Sequence, residues 1–558
     1  MNFKQRPARR WQASVTALLI GLMLFGQTLI AQTAATTIAP AALSASENQL
    51  VERISVDTIE NFTAALSAPE MQGRGTMQPG GDKAANWIAE QFQKFGLKPL
   101  GDKGSYLQKI NFRETVFAPE TAFRIGDENL KSGDDFAIAP FSAGNKSASG
   151  EMIFVGYAMV VDAMKRNDLG DINLQGKVVV MLEGPPANIS KGDWEKAKAQ
   201  RLFIQNLFMK GVSGIVIIPH GREERSPEMM IDYFSRRQIS MEDESESQMP
   251  PFIYASGKAA EKLFAKSGTT LKDALGAAET NQFKPIKLNQ KANIVSKMKK
   301  SKGAGSNVIG YLEGSDATLK SEAVLFSAHY DAYGMENGKI YPGAADNALG
   351  VAEILAIAEA YSRMDAKPKR SMVFLAVTGE EYGLYGSKFW AKKPTWDIKK
   401  VAANLNLDGI GTEVYAPVKT FVGFGAEHST LGAMLADVSS TFGIKVIPDP
   451  MPDEKIFYRS DHYSFVERGV PALMLLGAPE GDPKKWIDRS KEWEKTDYHN
   501  VGDVIKSDWD WTGAKTVAVV MGIMGLRISD SATMPEWLKT SRFGKLERGN
   551  TKEIPEEK

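Results

Sequence analysis

The chain has 558 residues, too many for one hydrophobic core, and a prior of about 150 residues per domain predicts roughly two to four structural units. Its 68 lysine and arginine residues balance 68 aspartate and glutamate residues, so no overall charge favours nucleic acid or acidic lipid as a partner. Cysteine is absent, which excludes disulfides, a thiol nucleophile and thiolate metal ligands.

Residues 1–35 have the pattern of a secretory signal peptide. A basic head containing Arg9 and Arg10 precedes an apolar run from Ala17 to Phe25, and small residues follow it. The run is short for a bilayer span of about 20 residues, and an uncleaved N-terminal anchor is the alternative. We therefore expect an exported protein, periplasmic or extracellular, with no stable membrane insertion after cleavage of the signal.

The next part of the chain predicts helices first and then short strands. Amphipathic helices are predicted over 47–68 and 82–95. They lie within residues 46–140, which we expect to be the N-terminal part of the main domain. Residues 141–285 predict a small inserted β-rich domain. Its elements are strands at 152–155, 178–182, 214–218 and 252–254, a helix at about 194–210, and a charged, methionine-rich mobile loop at 222–249.

Residues 290–535 alternate continuous apolar runs with helical patterns, of which 346–363 is the most regular. The runs are 308–312, 323–328, 372–377, 402–407, 421–424 and 472–476. This alternation predicts an α/β fold with a mixed, largely parallel sheet covered by helices on both faces. The charged tail, 536–558, is expected to be loose.

Residues that can bind metal follow three of these apolar runs. In an open α/β sheet, ligand sites lie beyond the carboxyl ends of the strands, so these residues are expected to meet at one edge. They are His329 and Asp331 after 323–328, Glu380 and Glu381 after 372–377, Asp408 after 402–407, and Asp346 between the first two groups. Of the five histidines, His499 follows the last core strand and would return to the same edge.

Each of these residues also has an ordinary structural explanation. Asp346 could be a helix N-cap, Asp408 a turn residue, and Glu380 with Glu381 a solvated surface pair. Two adjacent carboxylates at an active edge, however, repel each other and need a cation nearby. One of them can then bind the metal while the other takes a proton from water.

Taken together, these segments resemble the zinc aminopeptidase family M28. The strings that carry the resemblance are AHYDAYG (328–334), PGAADNALGVA (342–352), TGEEYGLYGSKFWA (378–391), NLDGIG (406–411), RSDHYSF (459–465) and DYHNVGD (497–503). The inserted region resembles a protease-associated (PA) domain through GKVVVMLEG (176–184) and LFMKGVSGIVII (207–218). The resemblance implies the zinc exopeptidase fold with a PA insertion that overhangs the cleft.

The resemblance also implies a role for each candidate residue. One zinc ion would be held by His329 and Asp408, and the other by Glu381 and His499, with Asp346 bridging the two. The remaining roles are Glu380 as general base, Asp331 as the group that orients His329, Tyr498 as the group that polarises the scissile carbonyl, and Arg459 near the amino end of the substrate.

The implied function is removal of the N-terminal residue of peptides with two Zn²⁺ ions, for which cobalt or manganese could substitute. Three alternatives stay open. A carboxypeptidase on the same scaffold would need a basic pocket for the terminal carboxylate, a glutaminyl cyclase would use one zinc ion, and a receptor-like protein would lose metal ligands. The sequence does not indicate which side chain is preferred or whether the chain forms oligomers.

Overall fold

The computed structural model describes residues 42–554 except 143, 188, 197–198, 221–225, 246, 410, 479–480 and 553. The predicted signal peptide, residues 1–35, lies outside the described residues. From Leu43 onward the chain forms one structural unit that is built around two sheets. None of the described helices combines the length and apolar character needed to cross a lipid bilayer.

The larger sheet has ten strands among the described residues, and its four central strands are parallel and buried throughout. In spatial order, these are Ser371–Val377, Ala323–His329, Val401–Asn406 and Ala472–Ala478. One flank consists of Met298–Leu312, Leu107–Phe117, Gln238–Met241 and the short Lys98–Pro99, and the other of Thr420–Phe424 and Lys445–Ile447. Both flanks join the centre through antiparallel pairs, so the predicted mixed α/β sheet is confirmed, with its longest parallel run at the centre.

Helices cover both faces of this sheet. They are Ala45–Arg53, Val56–Ser67, Pro79–Lys94, Gly350–Ser362, Tyr385–Lys392, Leu431–Thr441, His462–Val466, Pro483–Thr496 and Thr512–Asp530. Alternate residues of a strand point to opposite faces, and the sheet shows this clearly. Phe326 packs in the core formed with Gly350–Ser362 and Thr512–Asp530, whereas Leu325 packs on the other face with Trp390.

Two predicted helices differ from the observed ones at polar residues. The predicted helix 47–68 is divided, because the Ser55 hydroxyl accepts a hydrogen bond from the amide of Thr58 at 3.1 Å and begins a second helix. The predicted helix 346–363 begins only at Gly350. Before it, Ala344–Leu349 form a wide turn in which Asp346 leaves helical backbone angles.

The smaller sheet has eight strands among the described residues and a separate apolar core. In spatial order, they are Glu128–Leu130, Ala122–Ile125, Ile286–Ser296, Lys146–Phe154, Val178–Glu183, Gly214–Pro219, Phe252–Ala255 and Phe136–Ile138. Its helices are Lys191–Lys196, Ala199–Met209, Pro227–Ser235, Gly257–Phe264 and Leu271–Ala278. We call this part, residues 118–297, the inserted unit; its sheet includes strands on both sides of the predicted range 141–285. Two small ribbons complete the strands: Val160–Val161 with Arg166–Asn167, and Gly334–Glu336 with Lys339–Tyr341.

The prediction of a mobile loop at 222–249 was wrong for most of the residues that the structure describes there. Ser226 caps the helix Pro227–Ser235 by accepting a hydrogen bond from the Met229 amide at 3.2 Å. The chain then crosses from the smaller sheet to the larger one, where Gln238–Met241 form the outermost strand. We call residues 226–241 the crossover segment, because they link the two sheets.

The prediction of a loose tail was also wrong for its described part. The Phe543 side chain is completely buried. Arg548 donates hydrogen bonds to the carbonyl oxygens of Val401 and Ala402, both at 2.8 Å. The tail therefore packs along the first residues of a central strand, where Arg548 serves as a hydrogen-bond donor.

Candidate metal centre

The candidate residues converge where the central parallel strands end. His329 is the last residue of its strand, and Glu380, Glu381 and Asp408 follow the two strands beside it. Because these strands are parallel neighbours, their carboxyl ends share one edge of the sheet. His499 reaches the same edge from the loop that follows the helix Pro483–Thr496.

Asp346 lies between the two histidines. Its Oδ1 is 3.2 Å from His329 Nε2, and its Oδ2 is 3.4 Å from His499 Nε2. Each histidine also faces a carboxylate of its own: Asp408 Oδ1 is 3.2 Å from His329 Nε2, and Glu381 Oε2 is 3.0 Å from His499 Nε2. The cluster therefore consists of two histidine–carboxylate pairs, and the carboxylate of Asp346 lies between them.

The donor atoms fall into two groups that could each hold a metal ion. Within each group the atoms lie within 4.8 Å of one another, and the groups are His329, Glu380 and Asp408, and Asp346, Glu381 and His499. Glu380 is the outlying member, because its Oε2 is 3.9 Å from His329 Nε2, farther than Asp408 or Asp346. Its side chain is also 12% exposed, against 2% for Glu381.

The electrostatics of the cluster fit a cation. Burial alone would lower the pKa of His499, but Glu381 and Asp346 raise it to about 9. Burial raises the pKa of Glu380 well above its ordinary value, and the nearby Asp408 raises it further. So many buried carboxylates need added positive charge, and imidazole nitrogens with carboxylate oxygens are donors that suit zinc.

Residues 307–523 match the model of peptidase family M28. This part of the chain is similar to that family. Curated relatives align over limited stretches. The vacuolar membrane protease of Clavispora lusitaniae is 29% identical over 170 residues, 30% of this chain and 15% of that protein. Leucine aminopeptidase 2 of Trichophyton equinum is 30% identical over 178 residues, 31% of this chain and 34% of that protein. The chain thus spans about a third or less of the length of these relatives.

Solved structures resemble this chain over nearly its whole length. An aminopeptidase from Aneurinibacillus sp. strain AM-1 has a TM-score of 0.58 at 19% identity, with 88% of this chain and 97% of that chain covered. BSAP, a zinc aminopeptidase from Bacillus subtilis, has a TM-score of 0.52 at 14% identity, with 90% and 99% covered. At such identities the similarity establishes the fold, and it confirms the predicted fold class.

Asp331 connects two strand ends at the candidate metal centre. The His329 Nδ1 atom is 3.1 Å from the backbone carbonyl oxygen of Asp331 and 3.9 Å from its carboxylate. That carboxylate accepts hydrogen bonds from the Glu380 amide at 3.2 Å and from the Thr76 hydroxyl at 3.1 Å. Asp331 therefore orients the imidazole mainly through its carbonyl, while its carboxylate holds the Glu380 loop.

Ser460 fixes the orientation of Asp408. Its hydroxyl donates a hydrogen bond to Asp408 Oδ2, which leaves Oδ1 directed at His329. The same hydroxyl accepts a hydrogen bond from the Asn406 side chain at 2.9 Å. Sequence reasoning did not assign Ser460, although it lies in the quoted string RSDHYSF.

Two further residues outside the predicted set hold the turn that carries Asp346. Asp503 accepts hydrogen bonds from the amides of Ala345 at 2.8 Å and Asp346 at 3.0 Å. Arg74 is completely buried, and burial lowers its pKa to about 10. It donates to four carbonyl oxygens, those of Tyr330 (2.6 Å), Leu66 (2.8 Å), Pro342 (2.6 Å) and Gly343 (2.7 Å). Asp503 lies in the string DYHNVGD and Arg74 in GRGTMQPGGDKAANWIAEQF (73–92), which both resemble the family, but the sequence assigned neither residue a role.

Aromatic rings surround His499. Its backbone is left-handed, with φ of 54°, a conformation that non-glycine residues seldom adopt. The Tyr498 ring is stacked on the imidazole with centroids 3.6 Å apart, and the Tyr333 hydroxyl is 3.4 Å from Nδ1. Tyr233 of the crossover segment lies parallel to the imidazole at 6.2 Å. Residues of the larger-sheet part and of the crossover segment thus both surround His499.

Two large cavities and a third of about 180 Å³ adjoin the cluster. Of the two large cavities, the smaller pocket has a volume of about 640 Å³, including its open mouth, and is lined by His329, Asp346 and Asp408. The larger one, which we call the groove, has about 1240 Å³ and touches Glu381 and His499. Three residues line both cavities and mark the boundary between them: Glu380, Arg459 and Tyr498.

Proposed function

We propose that the protein is an aminopeptidase that binds two zinc ions and removes the N-terminal residue of peptides. The observation that carries the proposal is the position of Asp346 between two histidines that each face a second carboxylate. In this proposal His329 and Asp408 hold one ion, Glu381 and His499 hold the other, and Asp346 contacts both. The match of residues 307–523 to the model of peptidase family M28 supports peptide-bond hydrolysis.

Two bound zinc ions would lower the pKa of water and polarise the scissile carbonyl. Glu380 is the proposed general base, which takes a proton from the attacking water and delivers it to the leaving amine. Its position at the boundary of pocket and groove supports this role. Burial and the neighbouring carboxylates raise the pKa of Tyr498 well above its ordinary value, so its hydroxyl keeps the proton with which it stabilises the carbonyl oxygen.

The smaller pocket supports removal of a single residue. Besides the cluster, its wall has the apolar side chains of Met451, Ile456, Met474 and Trp493, which suit one side chain. Its remaining charged residues are Glu494 and Arg459, one of each sign. Glu494 offers a negative charge to an ammonium end, whereas Arg459 at the rim keeps a carboxypeptidase as the second candidate.

The test is a panel of substrates with free and blocked ends. We expect hydrolysis of aminoacyl anilides with a free amine and none of their N-acetyl forms. Release of the C-terminal residue from N-blocked dipeptides would indicate a carboxypeptidase, and cyclisation of N-terminal glutamine would indicate a cyclase. No turnover by the zinc-loaded protein on any of these substrates would favour the receptor-like alternative.

Export and restricted access complete the proposal. Export depends on residues 1–35, whose pattern is that of a signal peptide. The inserted unit, proposed to be PA-like, borders the groove and would limit entry to short peptides. Rapid digestion of an intact folded protein would contradict this limit on access.

A further inference from the structure

The inserted unit forms one wall of the groove. That wall combines the turn Pro140–Ser142 with the end of the helix Pro227–Ser235, and the same groove is also lined by Glu381 and His499. A peptide whose first residue fills the smaller pocket would extend past Glu380 into this groove. The residues after the cleaved bond would therefore lie against the inserted unit.

Phe141 is held in place at this wall although it is largely exposed. Its side chain is 46% exposed, and its ring contacts Phe252 edge-on with centroids 5.0 Å apart. The Ser142 hydroxyl fixes the turn, since it donates to the Ala139 carbonyl at 2.9 Å and accepts from the Phe252 amide at 3.0 Å. The exposed aromatic face is therefore a fixed feature of the surface.

The exposed ring continues into an apolar surface. A shallow hollow beside the groove is lined by Phe141, Ile204, Phe208 and Met249 together with two glutamines. Single exposed apolar side chains are ordinary, whereas a contiguous apolar surface beside a cleft is typical of a binding site. The groove and the hollow meet at Phe141, because it lines both.

The arginines of this wall are already neutralised within the protein. Arg236 pairs with Asp232 at 2.7 Å, and Arg237 pairs with Glu336 at 2.7 Å and with Glu114 at 3.3 Å. These carboxylates balance the positive charge of both arginines. The wall therefore offers a ligand apolar contacts rather than an unpaired charge. The chemistry of the wall therefore favours a large apolar side chain as its occupant.

We propose that Phe141 forms an apolar subsite for a side chain on the leaving side of the cleaved bond. The substrate class is short peptides with a large apolar residue after the residue that is removed. This inference rests on the proposed function, because the N-terminal residue must occupy the smaller pocket for the leaving peptide to lie in the groove.

The test is a leucine scan of alanine tetrapeptides at positions two, three and four. In the unchanged protein, leucine at one of these positions should raise kcat/KM roughly tenfold over the all-alanine peptide, the usual order for an apolar contact. F141S should reduce this preference to less than about threefold, and F141L should keep most of it. M209S is the matched control, because Met209 is 79% exposed on the same unit and does not line the groove.

The outcomes separate the two proposals. If the unchanged protein removes N-terminal residues but shows no leucine preference, or if the preference survives F141S, the apolar subsite is refuted and the aminopeptidase proposal stands. A loss of preference in M209S as well as in F141S would also refute a specific role of Phe141. If no tetrapeptide is cleaved from its N-terminus, both proposals fail.

Discussion

The guanidinium of Arg236 donates a hydrogen bond to the backbone carbonyl of His499 at 3.0 Å, across 263 positions of sequence. The same guanidinium lies over the rings of Tyr333 at 4.8 Å and Tyr341 at 4.4 Å. Arg236 belongs to the crossover segment, so the inserted unit holds the backbone of a proposed metal ligand. Metal binding should therefore depend on a residue that lies outside the residues matched by the family model.

Replacing Arg236 should weaken one of the two metal ions. R236Q removes the charge and the forked donor geometry, so the proposed ion at His499 should bind about 10- to 100-fold more weakly, the usual effect of residues that support a ligand. Metal analysis after dialysis against a competing chelator should find the loss of one ion. R113Q is the control, because Arg113 donates to the Glu244 carbonyl at 2.8 Å, away from the cluster. Two ions retained at unchanged affinity in R236Q would contradict the prediction.

Glu380 and Glu381 should differ sharply when each is changed to glutamine. E380Q cannot accept a proton, so we expect it to keep both ions and to lose roughly 10²- to 10⁴-fold in kcat. E381Q replaces an anionic ligand by a neutral amide 3.0 Å from His499, so it should lose one ion and recover activity with excess zinc. Steady-state kinetics and metal analysis of both variants check the assignment.

The opposite pattern would reverse the two roles. If E380Q loses zinc while E381Q retains it, Glu380 is the ligand. Its Oε2 atom lies 3.9 Å from His329 Nε2, which is near enough for this alternative. If neither change affects turnover, the two-metal hydrolase proposal fails. Excess zinc serves as the internal control, because it should rescue only the variant that lacks a ligand.

The purified protein should contain close to two metal ions per chain. Chelation should abolish activity, and it should lower the melting temperature because the ions bind only the folded cluster. A ligand at a hundred times its dissociation constant stabilises the folded state by about 2.7 kcal/mol. Metal analysis together with thermal unfolding before and after chelation measures both effects. One tightly bound ion at full occupancy would favour the cyclase alternative.

We expect the free energy of unfolding to depend strongly on Arg74. R74M leaves four carbonyl oxygens, three of them buried, without their donor, and each unsatisfied buried group costs about 1 to 3 kcal/mol. Urea unfolding compares this variant with R53M, in which a surface pair with Asp365 at 3.5 Å is lost at a cost of less than about 1 kcal/mol. Equal midpoints for the two variants would show that Arg74 is dispensable.

The sequence predicted those parts of the molecule that depend on local pattern. The strand that ends at His329 is a continuous apolar run, and such runs indicate a buried strand wherever they occur. Gln238–Met241 was missed, because an edge strand carries polar residues and lacks that pattern. The contacts of Arg236 and Arg74 join segments that are distant in sequence, so no local pattern could reveal them.

The crossover segment makes the inserted unit inseparable from the peptidase sheet. Met298 pairs with Phe117, so an engineer could excise everything between them with a short linker. The excision would also remove the edge strand Gln238–Met241, whose Ile239 packs on Ile110 and Phe112. The strand that carries Ile110 and Phe112 would then be an exposed edge with apolar side chains. Such an edge is a template for aggregation. We therefore expect a protein trimmed of the insertion to aggregate instead of giving an enzyme with an open cleft.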